Sequence, residues 1–208
     1  MPRTRSSSTN AAPAIDPKNQ TIRTCDRCTF VFKAPHPKAG QRCRIRTCKV
    51  GPYCWIHLRS QWFLRVKKSK IRNAGLGLFA DSPSHGKKAV VFTNQTNTTG
   101  LGKGIICVYS KTPVSKQEID RRHGSGNKTR ADYGLHNNGK GAGTYFDPVN
   151  SNDNVGRYTN DCRGTEFPCN ARVLTKGNTA YIKVQKGHQI KNGEEILWSY
   201  GASYWKTR

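Results

Sequence analysis

Six potential metal ligands, Cys25, Cys28, Cys43, Cys48, Cys54 and His57, crowd into one stretch of the chain. Residues 21 to 60 around them are short on aliphatic side chains. Such a stretch cannot build an apolar core alone, so a bound ion has to supply the folding energy. Cys25-x-x-Cys28 and Cys54-x-x-His57 form two chelating pairs, each able to hold one side of a tetrahedral ion. Thiolates with one imidazole suit zinc. A single ion closes with four protein ligands, so spacing alone leaves the choice among the six open. No position is evidently kept for water and no nearby acid is poised as a base, which makes the expected zinc structural rather than catalytic.

The run Gly40-Gln41-Arg42-Cys43, followed by Pro52-Tyr53-Cys54-Trp55-Ile56-His57, resembles small Cys3His modules. That resemblance implies the set Cys28, Cys43, Cys54 and His57, with Cys25 or Cys48 as substitutes. The start of the chain, Met1-Pro2-Arg3-Thr4-Arg5, has no apolar run of the secretory kind, so the expected setting is intracellular and metal is preferred over disulfide. Cys107, Cys162 and Cys169 are then expected to be ordinary small residues of the larger domain.

The 208 residues suit one domain plus a small module. Residues 1–20 read as a disordered basic lead, 21–62 as the Cys/His zinc module and 63–208 as the main domain. No run of apolar residues is long enough to span a bilayer, so no membrane partner is expected. Net charge is +24, from 36 Lys and Arg against 12 acids. A field of that strength favours polyanions or acidic protein surfaces, nucleic acid among them. Strands are expected at residues 62–71, 90–92, 104–109, 144–146, 171–174, 180–184 and 195–198, with exposed loops at 93–103 and 137–143. One helix is expected over residues 114–122, with Ser115 as N-cap and Glu118 completing a capping box. The sum is a mainly β domain of short strands.

Ala74-Gly75-Leu76-Gly77-Leu78-Phe79-Ala80 is followed in order by three further segments. These are Gly156-Arg157-Tyr158-Thr159-Asn160-Asp161-Cys162, then Cys169-Asn170, then Gly193-Glu194-Glu195-Ile196-Leu197-Trp198-Ser199-Tyr200-Gly201. Glycines at 75 and 77 let backbone approach a bulky ligand closely. No third glycine and no amphipathic helix follow, so this is not a dinucleotide-binding fingerprint. Together and in this order the segments resemble the SET-domain lysine methyltransferases, over about residues 63 to 208. The resemblance implies a SET fold of short strands with a threaded C-terminal segment, placed behind the zinc module.

Methyl transfer from S-adenosylmethionine asks little of charged side chains. The donor is already an activated electrophile, and the protein must align it with a neutral amine and exclude water. A narrow apolar channel favours the neutral form of a lysine, and tyrosine hydroxyls can orient it without adding charge. On the resemblance, Gly75, Leu76 and Gly77 cradle the cofactor through backbone groups. Arg157, Tyr158, Asn160 and Asp161 contact it further, with Asn160 at its amino-acid end. Tyr200 is the catalytic tyrosine, touching cofactor and lysine alike, and Tyr109 is a second candidate for the lysine channel. Tyr133 and Tyr145 are candidates for the peptide groove, and Tyr204 or Trp205 for closing the channel. Glu195 is expected to be a structural hydrogen-bond acceptor rather than a general base. Asp161 stands where the family usually has His, Ser199 where it has Asp, and Lys111 where it has Gly. The resemblance implies a protein-lysine N-methyltransferase using S-adenosylmethionine, with histone or nucleosome as default substrate and a nuclear, chromatin-associated location. The alternative is a catalytically inactive SET-fold zinc protein that binds nucleic acid or chromatin.

Overall fold

A computed structural model describes residues 27–47, 53–111, 113–124, 135–136, 144–148, 155–202 and 204. Cys25, Cys48, Tyr133, Trp205, the lead at 1–20 and the loop at 137–143 lie outside the described residues. The described chain is mainly strands with few helices. In order, it forms helix α1 (Trp55–Trp62), strands β1 (Leu64–Lys68), β2 (Leu76–Ala80), β3 (Val90–Phe92), β4 (Ile105–Ser110) and β5 (Pro113–Ser115), and helix α2 (Lys116–His123). Strands β6 (Leu135–His136), β7 (Thr144–Phe146), β8 (Asn160–Asp161), β9 (Ala171–Lys176), β10 (Thr179–Val184), β11 (Ile190–Lys191) and β12 (Leu197–Trp198) follow. No helix among the described residues is long and apolar enough to cross a membrane.

The central sheet runs β4-β10-β9, antiparallel throughout. Every residue of β4 is buried, which is why it reads as a continuous apolar run rather than an alternating one. β10 alternates, turning Ala180, Ile182 and Val184 inward. Gly177, at φ 56°, opens the two-residue turn between β9 and β10, a position that glycine fills without steric cost. The core joins these side chains to Leu64, Leu78, Phe92, Ile106, Phe146 and Ile196. Leu58 of α1 belongs to the same core, and Tyr53 and Trp62 pack against it, so the Cys/His segment is seated on the strands.

The C-terminal segment lies between two parts of the chain. On one side Ile196 N–H donates to Leu78 O at 2.8 Å, and Ala80 N–H donates to Glu194 O at 3.0 Å. On the other side β12 pairs with β8 in parallel, Leu197 opposite Asn160 and Trp198 opposite Asp161. Asn170 fastens it: its Nδ2 donates to Glu195 O at 2.8 Å and its Oδ1 accepts from Leu197 N–H at 2.9 Å. A side-chain amide thus takes the place of a missing strand neighbour.

Three sequence expectations need correction. A second helix, besides the one expected at 114–122, precedes β1. Cys54 starts it, and Phe63 ends it in the left-handed region at φ 55°, so the strand expected from residue 62 begins at Leu64. The last strand is confined to Leu197–Trp198, with Glu195 making an isolated bridge to Phe79. Cys162 and Cys169 are bonded as a disulfide, their Cα atoms 5.3 Å apart, rather than being two independent small residues. Thr165 folds the intervening loop back by donating to Cys162 O at 2.7 Å. Elsewhere, Ser115 caps α2 by accepting from Glu118 N–H at 3.2 Å, while the Glu118 carboxylate turns to Arg121 and Arg122 and is held down at a pKa of about 2.

Asn170→Ala leaves two buried groups of the C-terminal segment unpaired. We expect it to lower stability by about 2–4 kcal/mol, read as a fall in the denaturant midpoint at unchanged slope. Alkylation of the unfolded, unreduced chain is expected to spare Cys162 and Cys169 and to label both after reduction.

Candidate functional site

Two arrangements of chemistry-bearing side chains stand out, one on the Cys/His segment and one where β2, β8 and β12 meet. In the first, Sγ of Cys28, Cys43 and Cys54 and a ring nitrogen of His57 all lie within 4.8 Å of one another, and all four residues are buried. His57 Nδ1 sits 3.4 Å from Cys28 Sγ and 3.2 Å from Cys54 Sγ. A tetrahedral ion with metal–sulfur bonds of about 2.3 Å needs ligand atoms spaced by about 3.5–3.8 Å, which this cluster can reach with small adjustments. Cys54 is the N-cap of α1 and His57 lies three residues on, so the first helical turn brings the pair together. Phe30 stacks on the His57 ring at 3.8 Å and fixes its plane. Cys28 and Cys43 come from two short segments paired by Cys28 N–H to Ile45 O and Cys43 N–H to Phe30 O, both 2.8 Å.

Burial pushes the Cys54 thiol up to about 11, though the His57 backbone N–H pulls it the other way, and burial lowers His57. Burying three thiolates with no cation is costly, so without an ion the groups stay as neutral thiols. A divalent ion reverses that balance by stabilising the thiolates and needs His57 neutral, so the donor set fits zinc. Cys107 is different: burial alone pushes its thiol up, and it sits inertly in β4.

The second arrangement centres on Asn160 and Glu195. Asn160 Nδ2 lies 3.1 Å from Leu76 O and 3.1 Å from Glu195 Oε1. Glu195 is 4% exposed and also accepts from Ser69 Oγ at 2.7 Å and Lys70 N–H at 2.8 Å. Gly77 makes this possible, because any Cβ there would collide with the Glu195 carboxylate. Gly75 carries φ 72° and lies exposed at the start of β2.

Thr159 links this group to the tyrosines. Tyr200 OH donates to Thr159 O at 2.7 Å, and Trp198 Nε1 donates to Thr159 Oγ1 at 2.9 Å. Asp161 accepts from Tyr200 N–H at 3.2 Å and from Arg163 N–H at 2.8 Å. Tyr109 is buried edge-on to Trp198 at 5.9 Å, and Trp198, Tyr200 and Tyr204 continue the aromatic run at 4.8 and 4.9 Å. Gly156 lies against the backbone of Val108 and Tyr109, where a Cβ would stand 2.6 Å from Val108 O. Arg157 reaches its neighbour, donating to Tyr158 OH at 3.0 Å with its guanidinium 4.9 Å from that ring.

The sequence-predicted residues Gly75, Leu76, Gly77, Asn160, Asp161, Tyr109 and Tyr200 are therefore drawn to one region through direct bonds and ring contacts. Arg157 and Tyr158 satisfy each other beside it. Tyr145 is instead held in β7 opposite Val114. Ser69 and Thr159 were not singled out in the sequence. Thr159 stood inside a motif that could have marked it, while Ser69 had no local signal at all.

No protein-family model and no curated protein matches the chain. Among solved structures, it is similar to the methyltransferase domain of human PR domain-containing protein 2. That match has 18% identity and a TM-score of 0.41, covering 67% of this chain and 78% of that chain. A likeness at that level carries no weight for function, which rests on the side chains themselves.

The purified chain is expected to carry one zinc, released by a chelator once the thiols are blocked. His57→Ala is expected to lower metal occupancy by at least about tenfold in elemental analysis, with loss of α1 helicity by circular dichroism.

Proposed function

We propose that the protein is an S-adenosylmethionine-dependent protein-lysine N-methyltransferase with a structural zinc module. The observation that carries this reading is the junction at residues 159 and 160. Asn160 reaches the backbone behind Gly75, while the neighbouring Thr159 carbonyl receives the Tyr200 hydroxyl.

Gly75, Leu76 and Gly77 would hold the cofactor through backbone groups, and Asn160, Asp161, Arg157 and Tyr158 would hold it through side chains and main chain. When bound, the cofactor supplies a methyl group on a sulfonium, already primed for attack. The residues of the chain then orient and desolvate. Tyr200 spends its proton on Thr159 O, so its oxygen keeps lone pairs to accept from an amine. Tyr109, Trp198 and Tyr204 supply apolar ring surface around it, which favours an uncharged lysine nitrogen. Glu195 is committed to three donors and serves to position Asn160 rather than to move a proton.

Histone lysines are the expected substrate, with nucleic acid contact through the basic surface and a chromatin-associated, nuclear location following from that choice. One observation favours the inactive alternative: the Asp161 carboxylate is already engaged by two backbone N–H groups. In that reading the chain is a zinc protein bound to nucleic acid.

The deciding measurement is radiolabelled methyl transfer to core histones and nucleosomes. Tyr200→Phe is expected to lower the rate by at least about tenfold, while the lost hydrogen bond costs only about 1 kcal/mol of stability. Asn160→Ala is expected to weaken cofactor binding by about tenfold or more in calorimetry. Absence of cofactor binding by the unaltered protein, with tight salt-dependent DNA binding, would favour the alternative.

A further inference from the structure

A cleft of about 360 Å3 lies in the metal module, lined in part by the ligands Cys43 and His57 and by no residue of the Asn160–Tyr200 junction. Phe32, Ile45 and Ile56 line it together with the cations Lys38, Arg42 and Arg44. Five large apolar side chains are exposed among the described residues, and four of them, Val31, Ile45, Trp55 and Ile56, belong to this module. Ile45 and Ile56 expose 39% and 41% of their surface inside a protein whose other aliphatic side chains are mostly in the core. Clustered exposed apolar groups beside a cleft mark a place where something binds.

The charge pattern says what that something is. Between Asp26 and Asp81 the sequence contains no Asp or Glu. Asp81 itself is taken by Arg59 at 2.9 Å and Arg65 at 3.5 Å. Arg42 is used internally, donating to Cys28 O and Arg27 O. The Lys38 and Arg44 side chains are exposed and meet no acid among the described residues. The cleft is thus mostly apolar with two cations that meet no acid among the described residues, and it suits an apolar side chain flanked by carboxylates.

A nucleic acid fits less well. Bases bind single-strand sites by stacking on free aromatic faces. Here Phe32, which lines the cleft, is stacked on His36 at 4.4 Å, Phe30 is stacked on His57 at 3.8 Å, and the exposed Trp55 is not among the lining residues. The aliphatic part of the lining, Ile45 and Ile56, packs a leucine or methionine side chain better than a base.

We propose that the cleft between residues 41–45 and Ile56 docks an acidic segment of a partner protein through one apolar side chain. The acidic flanks meet Lys38 and Arg44, and the anchor packs on Phe32, Ile45 and Ile56. This site is independent of the methyl-transfer reading and stands whether or not the chain proves to be an enzyme.

The test uses the full zinc-loaded chain and fluorescence anisotropy. The probes are a short labelled Asp/Glu peptide with one central leucine, its serine counterpart, and a labelled oligothymidylate. The leucine peptide is expected to bind at least about tenfold tighter than the serine peptide. Ile45→Ser should erase that preference while bound zinc and thermal midpoint stay unchanged, since the side chain is already partly exposed. Arg44→Glu should weaken the leucine peptide by about tenfold or more, and Lys176→Glu, on the distant β9–β10 hairpin, by much less. Equal binding of the two peptides would overturn the proposal, leaving bulk charge as the explanation. So would oligothymidylate binding that falls in Ile45→Ser while peptide binding does not, which would make the cleft a nucleic-acid site.

Discussion

Glu195 places a carboxylate inside the protein, and a buried charge is tolerated only when its hydrogen bonds are complete. Its surroundings come from two parts of the chain far apart: the β1–β2 hairpin, where Ser69 and Lys70 donate and the bare backbone at Gly77 leaves it room, and Asn160 in β8. Neither part can shift without stranding the charge. The same carboxylate that closes the C-terminal segment therefore also sets where Asn160 points and where the Gly75–Gly77 backbone lies. Fold and candidate site share one fastening, and a change at Gly77 would be felt at Asn160 before any ligand arrived.

The Cys/His segment depends on the strands as much as on any ion that its cluster would hold. Leu58 sits in the central core while His57, one residue earlier, faces the thiols. A helix of eight residues is too short to stand alone in water. Here one side of it is held by core packing and the other by the ligand cluster. Its N-cap is a cysteine with no side-chain capping hydrogen bond, and an ion held by Cys54 would take over the role that a serine or aspartate plays elsewhere.

Much of this was legible in the sequence, for physical reasons that differ from element to element. β4 and β10 announce themselves through dense β-branched and apolar runs, and α2 through Ser115 and Glu118. The cysteine spacings marked six candidate ligands because chelation demands short loops, and the resemblance to Cys3His modules named the four that the structure brings together. Helix α1 was hidden: residues 55–62 have no clear apolar face, and the two residues that anchor it do so by different means. The Cys162–Cys169 pairing was missed because cysteine spacing seven apart carries no signature and the compartment argument pointed elsewhere. The motif order drew attention to Asn160 and Tyr200, but nothing local revealed that Thr159 joins them. That link depends on a parallel pairing between residues nearly forty positions apart in the chain.

The wedged position of residues 194–200 has a consequence for synthesis. A ribosome makes β2, β8 and Asn170 well before it makes the segment that sits between them. Until Tyr200 has emerged, Leu78 O lacks the Ile196 N–H, Asn170 lacks both of its backbone partners and Ser69 lacks its acceptor. The nascent domain is thus an open slot with exposed polar edges, exposed to aggregation and to chaperones alike. Closure has to wait for these last residues, and the Cys/His segment, whose Leu58 packs into the core of the strands, depends on that closure as well.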